Sequence, residues 1–253
     1  MSYPIQNKLV VGVSTNALFD LELEDHIFQN EGIEKYKQYQ KANRKVLLEK
    51  GLAFPFIRRF LKINQIYPDE KPVEVVLLSK NSPETGLRIF SSIQQYGLEI
   101  SRAAFTSGKS PYQYIPAYNI SLFLSTNRED VNNAIQANYP AGFILKTAVQ
   151  DDDKDSELRV AFDFDGVLAD DSAEQVFQES GEVAAFNHHE EIHRNKPLKP
   201  GLLNDFFTKL SFFQKLENKK QEKDKTYKKI LRTAIITARA APAHERAVNT
   251  LKS

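Results

Sequence analysis

The chain has 253 residues, 41% of them apolar, with 34 Lys and Arg against 33 Asp and Glu for a formal charge of +1. That suffices for one large or two ordinary packed domains, and the near-neutral balance gives no electrostatic footprint for a nucleic acid polymer, so local charge must carry any phosphate recognition. The absence of cysteine excludes disulfides, thiolate metal sites and thiol nucleophiles. A reducing cytoplasm fits. Residues Met1 to Lys8 lack a signal-peptide profile, and no apolar run reaches the ~18 residues of a membrane span.

In chain order, residues 9 to 13 and 73 to 78 are β-branched runs bounded by turn residues, as buried strands require, and 120 to 124 and 142 to 145 are further candidates. Apolar residues recur at helical spacing over Gly32 to Glu49, Phe56 to Asn64 and Pro83 to Tyr96. Strands alternating with helices predict an α/β layered fold on a largely parallel sheet. The acidic run Asp151 to Glu157 reads as a solvated linker and places a domain boundary after residue 150. The pattern then restarts with a strand over 158 to 162, helical segments, a strand over Thr233 to Ile236, and a helix from about Pro242.

The two halves read as a repeat. Ser14 and Asn16 line up with Asp163 and Asp165 at an offset of 149 residues, and Ser79 with Thr237 at an offset of 158, with an insertion expected in the Lys-rich stretch Lys215 to Lys229. The first lobe, residues 1 to 150, then copies the second, 158 to 253, without its carboxylates. Ser107-Gly108-Lys109-Ser110 lacks the full phosphate-loop spacing, because position 103 is Ala.

Asp163 follows an apolar strand directly, which sets it in the crevice at the carboxyl edge of the sheet. A carboxylate there can attack phosphorus, and Asp165, reached through the turn at Gly166, can do acid and base work. A hard cation such as Mg²⁺ would join Asp163 to a substrate phosphate. His188, His189 and His193 with Glu190 and Glu191 read as the polar face of a helix rather than a metal cluster.

Asp163-Phe164-Asp165-Gly166 after a strand, with Ile235-Ile236-Thr237 as a second motif, resembles the haloacid dehalogenase-like superfamily of phosphohydrolases. More closely, Tyr36, Tyr39-Gln40, Ala53-Phe54-Pro55-Phe56, Ser107 to Pro111, Leu158 to Leu168, Asn195-Lys196-Pro197-Leu198 and Thr237-Ala238-Arg239 with Arg246 resemble the type I cytosolic 5′-nucleotidase family. The resemblance implies two tandem Rossmann-like lobes, with a cap insertion over about 170 to 230 in the second. It implies Mg²⁺-dependent hydrolysis of nucleoside 5′-monophosphates, AMP among them, through an aspartyl-phosphate. Asp163 would be nucleophile and metal ligand, and Asp165 acid/base and metal ligand. Thr237, Ala238 and Arg239 would hold phosphate, with Asn195 and Lys196 reaching it from the cap. A regulatory nucleotide and a homo-oligomer are compatible with it.

The family also has a later lysine and an acidic strand, which are not found before Ser253, so the second lobe reads as truncated after the second motif. A fragment, completion by a partner chain, and lost activity all stay open. So do two other functions: a phosphatase for another small monoester, and a non-catalytic nucleotide-binding protein.

Overall fold

The computed structural model describes residues 5, 8–81, 83–147, 150–239, 241 and 243–252. The chain divides into two compact units, Met1–Ser156 and Glu157–Ser253.

In chain order the first unit holds β1 (Leu9–Ser14), α1 (Thr15–Leu18), β2 (Phe19–Asp20), α2 (Glu22–Ala42), β3 (Glu49–Lys50), α3 (Phe54–Leu61) and α4 (Ile63–Ile66). It continues through β4 (Val73–Ser79), α5 (Pro83–Gln95), β5 (Arg102–Phe105), β6 (Leu122–Ser125), α6 (Arg128–Gln136) and β7 (Ala141–Phe143). Five strands form one sheet in the order β5-β4-β1-β6-β7, every neighbouring pair parallel, a Rossmann-like arrangement. From β1 the chain winds outward through β4 and β5, then crosses back to β6 and β7, which opens a crevice at the carboxyl ends where the winding reverses. All seven residues of β4 are buried, so its apolar run has no period-two alternation, as a strand covered on both faces requires. Glu74, buried in that strand, is neutralised by Arg102 at 2.7 Å and Lys8 at 3.9 Å.

The expected strands lie within a few residues of those observed. The helix expected over Gly32 to Glu49 instead begins ten residues earlier, at Glu22, and bends at Gly32, whose φ of 82° is left-handed. β2, β3, β5 and α6 carry too little periodicity to be expected from sequence. The acidic run is not simply solvated: Asp151 pairs with Arg58 at 3.2 Å and Arg59 at 2.6 Å, and Asp153 with Lys50 at 2.8 Å.

The second unit holds β8 (Leu158–Asp163), α7 (Ser172–Ser180), α8 (Val183–Ile192), α9 (Asn204–Lys223), β9 (Leu231–Ile236) and α10 (His244–Lys252). The expected helix start at Pro242 lies outside the described residues. β8 and β9 pair in parallel from Leu158↔Leu231 to Asp163↔Ile236. Phe162 packs on Phe206 and Phe207 of α9, with ring centroids 6.0 and 5.2 Å apart. Buried Glu217 ends the helix-to-strand connection by accepting from the main-chain N–H of Ile230 at 2.9 Å and Leu231 at 3.0 Å.

Bond for bond, the units share local devices. The Leu18 carbonyl accepts from Gly51 N–H and the Leu168 carbonyl from Gly201 N–H, both at 2.9 Å. Arg88 Nε donates to the Val46 carbonyl at 3.0 Å, and Arg246 Nε to the Lys196 carbonyl at 2.8 Å. Ser79 Oγ accepts from Asn81 N–H at 3.1 Å, and Thr237 Oγ1 from Arg239 N–H at 3.2 Å. A Cβ on Gly51 would stand 2.6 Å from the Ala17 carbonyl oxygen, and one on Gly201 would strike the Val167 and Ala169 carbonyl oxygens. Only glycine lets the chain pass there.

Candidate active site

Parallel pairing of β8 with β9 brings Asp163 level with Ile236, so the first aspartate and Thr237 leave the same edge of the sheet although 74 positions separate them. Asp163 is extended (φ −70°, ψ 146°), and its Oδ1 accepts from Phe164 N–H at 2.8 Å. Gly166 takes φ 71°, a left-handed turn that redirects the chain just after Asp165. Asp163 is exposed.

Asp165 is held by Arg239. The guanidinium donates from Nη2 to Oδ1 at 2.5 Å and from Nε to Oδ2 at 3.1 Å, and Thr237 Oγ1 lies 3.4 Å from Oδ2. A two-point hold of this kind fixes the plane of the carboxylate as well as its place. Arg239 is buried, with its guanidinium over the rings of Phe164 at 5.2 Å and Phe186 at 5.4 Å. Burial acts to lower its affinity for a proton, but Asp165 and Glu190 outweigh this, and its pKa ends above the ordinary value. Arg239 is fully charged.

Behind it sits Glu190, fully buried, which accepts from Arg239 Nη1 and, at 2.7 Å, from Arg246 Nη1. Glu190 therefore does not lie on a polar helix face as its neighbours suggested; it turns inward because two arginines from the β9 side need its charge. His188 and Glu191 do face solvent. Burial, then the charge of His193, pushes the His189 pKa down, with Glu190 opposing. In the first unit Gln40 Oε1 likewise accepts from Arg88, at 3.4 Å.

Ala238 is exposed beside Thr237, and Asn195 and Lys196 lie on the exposed turn after α8. The Lys196 carbonyl, not its ammonium, is tied into the network, through Arg246. Among the described residues no group of three or more His, Cys, Asp or Glu forms a ready metal cluster. The Asp163 carboxylate exposed at this edge is the kind of oxygen donor that suits a hard divalent cation, which completes its shell with water and phosphate.

At the corresponding edge of the first unit, a cavity of about 870 Å³ opens beside Ser14, Asn16, Lys80 and Asn127. Of the lysines that line this cavity, Lys80 is paired with Asp130 at 2.9 Å, while Lys109 sits on an exposed loop. Among the described residues no helix is long and apolar enough to cross a membrane.

The family model described as 5′-nucleotidase matches residues 1–253. Cytosolic 5′-nucleotidase 1B of Homo sapiens is 34% identical over 253 residues, an alignment covering 98% of this chain and 41% of that protein. The chain thus spans well under half the length of that curated relative. No solved structure matches it.

Proposed function

Because the chain belongs to the 5′-nucleotidase family, we propose that it hydrolyses nucleoside 5′-monophosphates, AMP among them, to nucleoside and phosphate at the edge formed by β8 and β9. The observation that carries this reading is the exposed Asp163 carboxylate beside Thr237, with Asp165 oriented next to both.

In this mechanism an Asp163 carboxylate oxygen attacks phosphorus, the P–O5′ bond breaks, and Asp165 gives its proton to the departing O5′. Water then attacks the phosphorus of the aspartyl-phosphate, Asp165 takes the proton, and phosphate leaves with Asp163 regenerated. Thr237 Oγ1 and the main-chain N–H groups after it donate to the phosphoryl oxygens, and Arg239 keeps Asp165 aimed. Bound Mg²⁺, held by the Asp163 carboxylate and the Asp165 carbonyl, would offset the repulsion between the carboxylate and the phosphate. Asn195 and Lys196 would close over the substrate from the turn after α8.

We read the two units as tandem Rossmann-like lobes of the haloacid dehalogenase type, the first without the catalytic aspartates. The matched hydrogen bonds and the matched glycines support this. The relative's name speaks for a cytoplasmic site of action.

Asp163→Asn tests the chemistry: phosphate release from AMP with Mg²⁺ should vanish while circular dichroism stays unchanged. Retained turnover would refute the assignment. A panel of sugar phosphates and nucleotides separates a nucleotidase from a phosphatase of another small monoester.

A further inference from the structure

The first unit has the more complete crevice, yet carboxylates are missing where catalysis would need them. At the four positions that carry Asp163, Asp165, Thr237 and Arg239 in the second unit, the first has Ser14, Asn16, Ser79 and Asn81. The local geometry survives this exchange: Ser79 Oγ caps Asn81 N–H as Thr237 Oγ1 caps Arg239 N–H. Every charge is gone, and every replacement is a hydroxyl or an amide that can donate a hydrogen bond.

These residues stand at the carboxyl ends of β1 and β4, and Ser125, Thr126 and Asn127 stand at the end of β6, all around the reversal of the winding. Ser14, Asn16, Asn81, Thr126 and Asn127 line the 870 Å³ cavity, a volume within the usual range of small-molecule pockets. Lys80 supplies positive charge at this edge. Asp130, nearly buried, holds it at 2.9 Å and is itself satisfied by Ser110 at 2.5 Å, while the lysine remains 34% exposed. The other acidic residues that line the cavity are engaged too: Asp25 accepts from Asn16 at 2.8 Å, Glu22 pairs with Lys146 at 2.7 Å, and Asp20 accepts from Glu22 N–H at 3.0 Å.

The cavity is also lined by Phe28, which stands edge-on to Tyr36 at 5.6 Å, and by Ile33. Phe28 and Ile33 are 49% and 53% exposed, an apolar cost that an aromatic ligand would relieve. We propose that this cavity is a second, metal-independent site that binds a phosphomonoester bearing an aromatic group without hydrolysing it, the class to which nucleoside monophosphates belong. The phosphate is seated on the neutral donors and Lys80, and the ring lies on the Phe28–Tyr36 wall. Ser14 has no carboxylate beside it in the place of Asp165 to take its proton, so the bound ester is not cleaved. No cation is required, because no anionic carboxylate stands where Asp163 and Asp165 do.

The test is calorimetric titration of the full chain with AMP in excess EDTA, with adenosine as the phosphate-free arm. Binding of one AMP per chain is expected, with no phosphate released and adenosine weaker by about tenfold or more. Lys80→Gln and Ser14→Asp should each weaken AMP by a similar factor, and Thr237→Ala should leave it unchanged. Lys80 is partly exposed, so its variant decides the matter if Ser14→Asp melts early. The proposal is overturned if AMP gives no binding in EDTA, if adenosine binds equally well, or if Thr237→Ala removes binding that Lys80→Gln retains. Failure of hydrolysis at Asp163 would leave these outcomes unaffected, since none requires turnover.

Discussion

Replacing Glu190 by Gln removes the charge that Arg239 and Arg246 share inside the second unit. The carboxylate is fully buried, and the two arginine side chains are 1% and 6% exposed, so solvent does not compensate the loss. Removing one partner of a buried pair costs about 3–5 kcal/mol, because the remaining charge stays desolvated. Arg239 keeps Asp165, and Arg246 keeps the Lys196 carbonyl, which puts the expected cost near the lower bound, about 3 kcal/mol. In a unit of this size that corresponds to a melting temperature lower by roughly 12 °C or more. Urea unfolding followed by far-ultraviolet circular dichroism measures it, with Lys209→Ala as control. Lys209 and Asp205 form a helical surface pair at 2.9 Å, whose loss should cost under about 0.5 kcal/mol. The Glu190 loss should also persist in salt that screens the control pair. A cost below about 1 kcal/mol for Glu190→Gln would show that Glu190 is not the hub of the network and would refute this reasoning.

Three further outcomes follow from the same unit. Gly201→Ala, whose new methyl strikes two carbonyl oxygens of the facing chain, should destabilise by about 1–3 kcal/mol in thermal melting, whereas an unchanged melting point would mean the turn can open. Phe206→Ala, which empties the space beneath Phe162, should cost about 3–5 kcal/mol in urea; a cost below about 1 would show that β8 does not depend on α9. His189 has its folded pKa held below the ordinary 6.5, chiefly by burial, so the unfolded chain binds its proton first as the pH falls. Its contribution is full above the unfolded value and is lost as the pH drops below it, so His189→Gln should flatten the fall in melting temperature below about pH 6.5. Parallel curves for the two proteins would contradict this.

Much of the fold was legible because buried parallel strands declare themselves locally. Leu9 to Ser14 and Val73 to Ser79 are apolar runs that need no knowledge of their neighbours to be recognised. Arg102–Phe105 and Arg128–Gln136 were not legible, since their register depends on β4 and on the chain packed beside them rather than on any period of their own. In the candidate site, Asp163 and Asp165 could be proposed from the end of a strand, and Thr237 from the resemblance of Ile235-Ile236-Thr237 to a family motif. Glu190 could not, because nothing in Asn187-His188-His189-Glu190-Glu191 distinguishes the residue that faces inward.

By itself the sequence determined that this is an α/β protein with two aspartates at the end of a strand, because strand burial and the turn at Gly166 are properties of a few adjacent residues. Tertiary structure alone decided which charges meet. Arg239 on Asp165 and Glu190, Asp151 on Arg58 and Arg59, and Lys80 on Asp130 join residues 49 to 93 positions apart. A side chain's charge is written in the chain, but its partner is chosen by packing, where the cost of an uncompensated buried ion permits few arrangements.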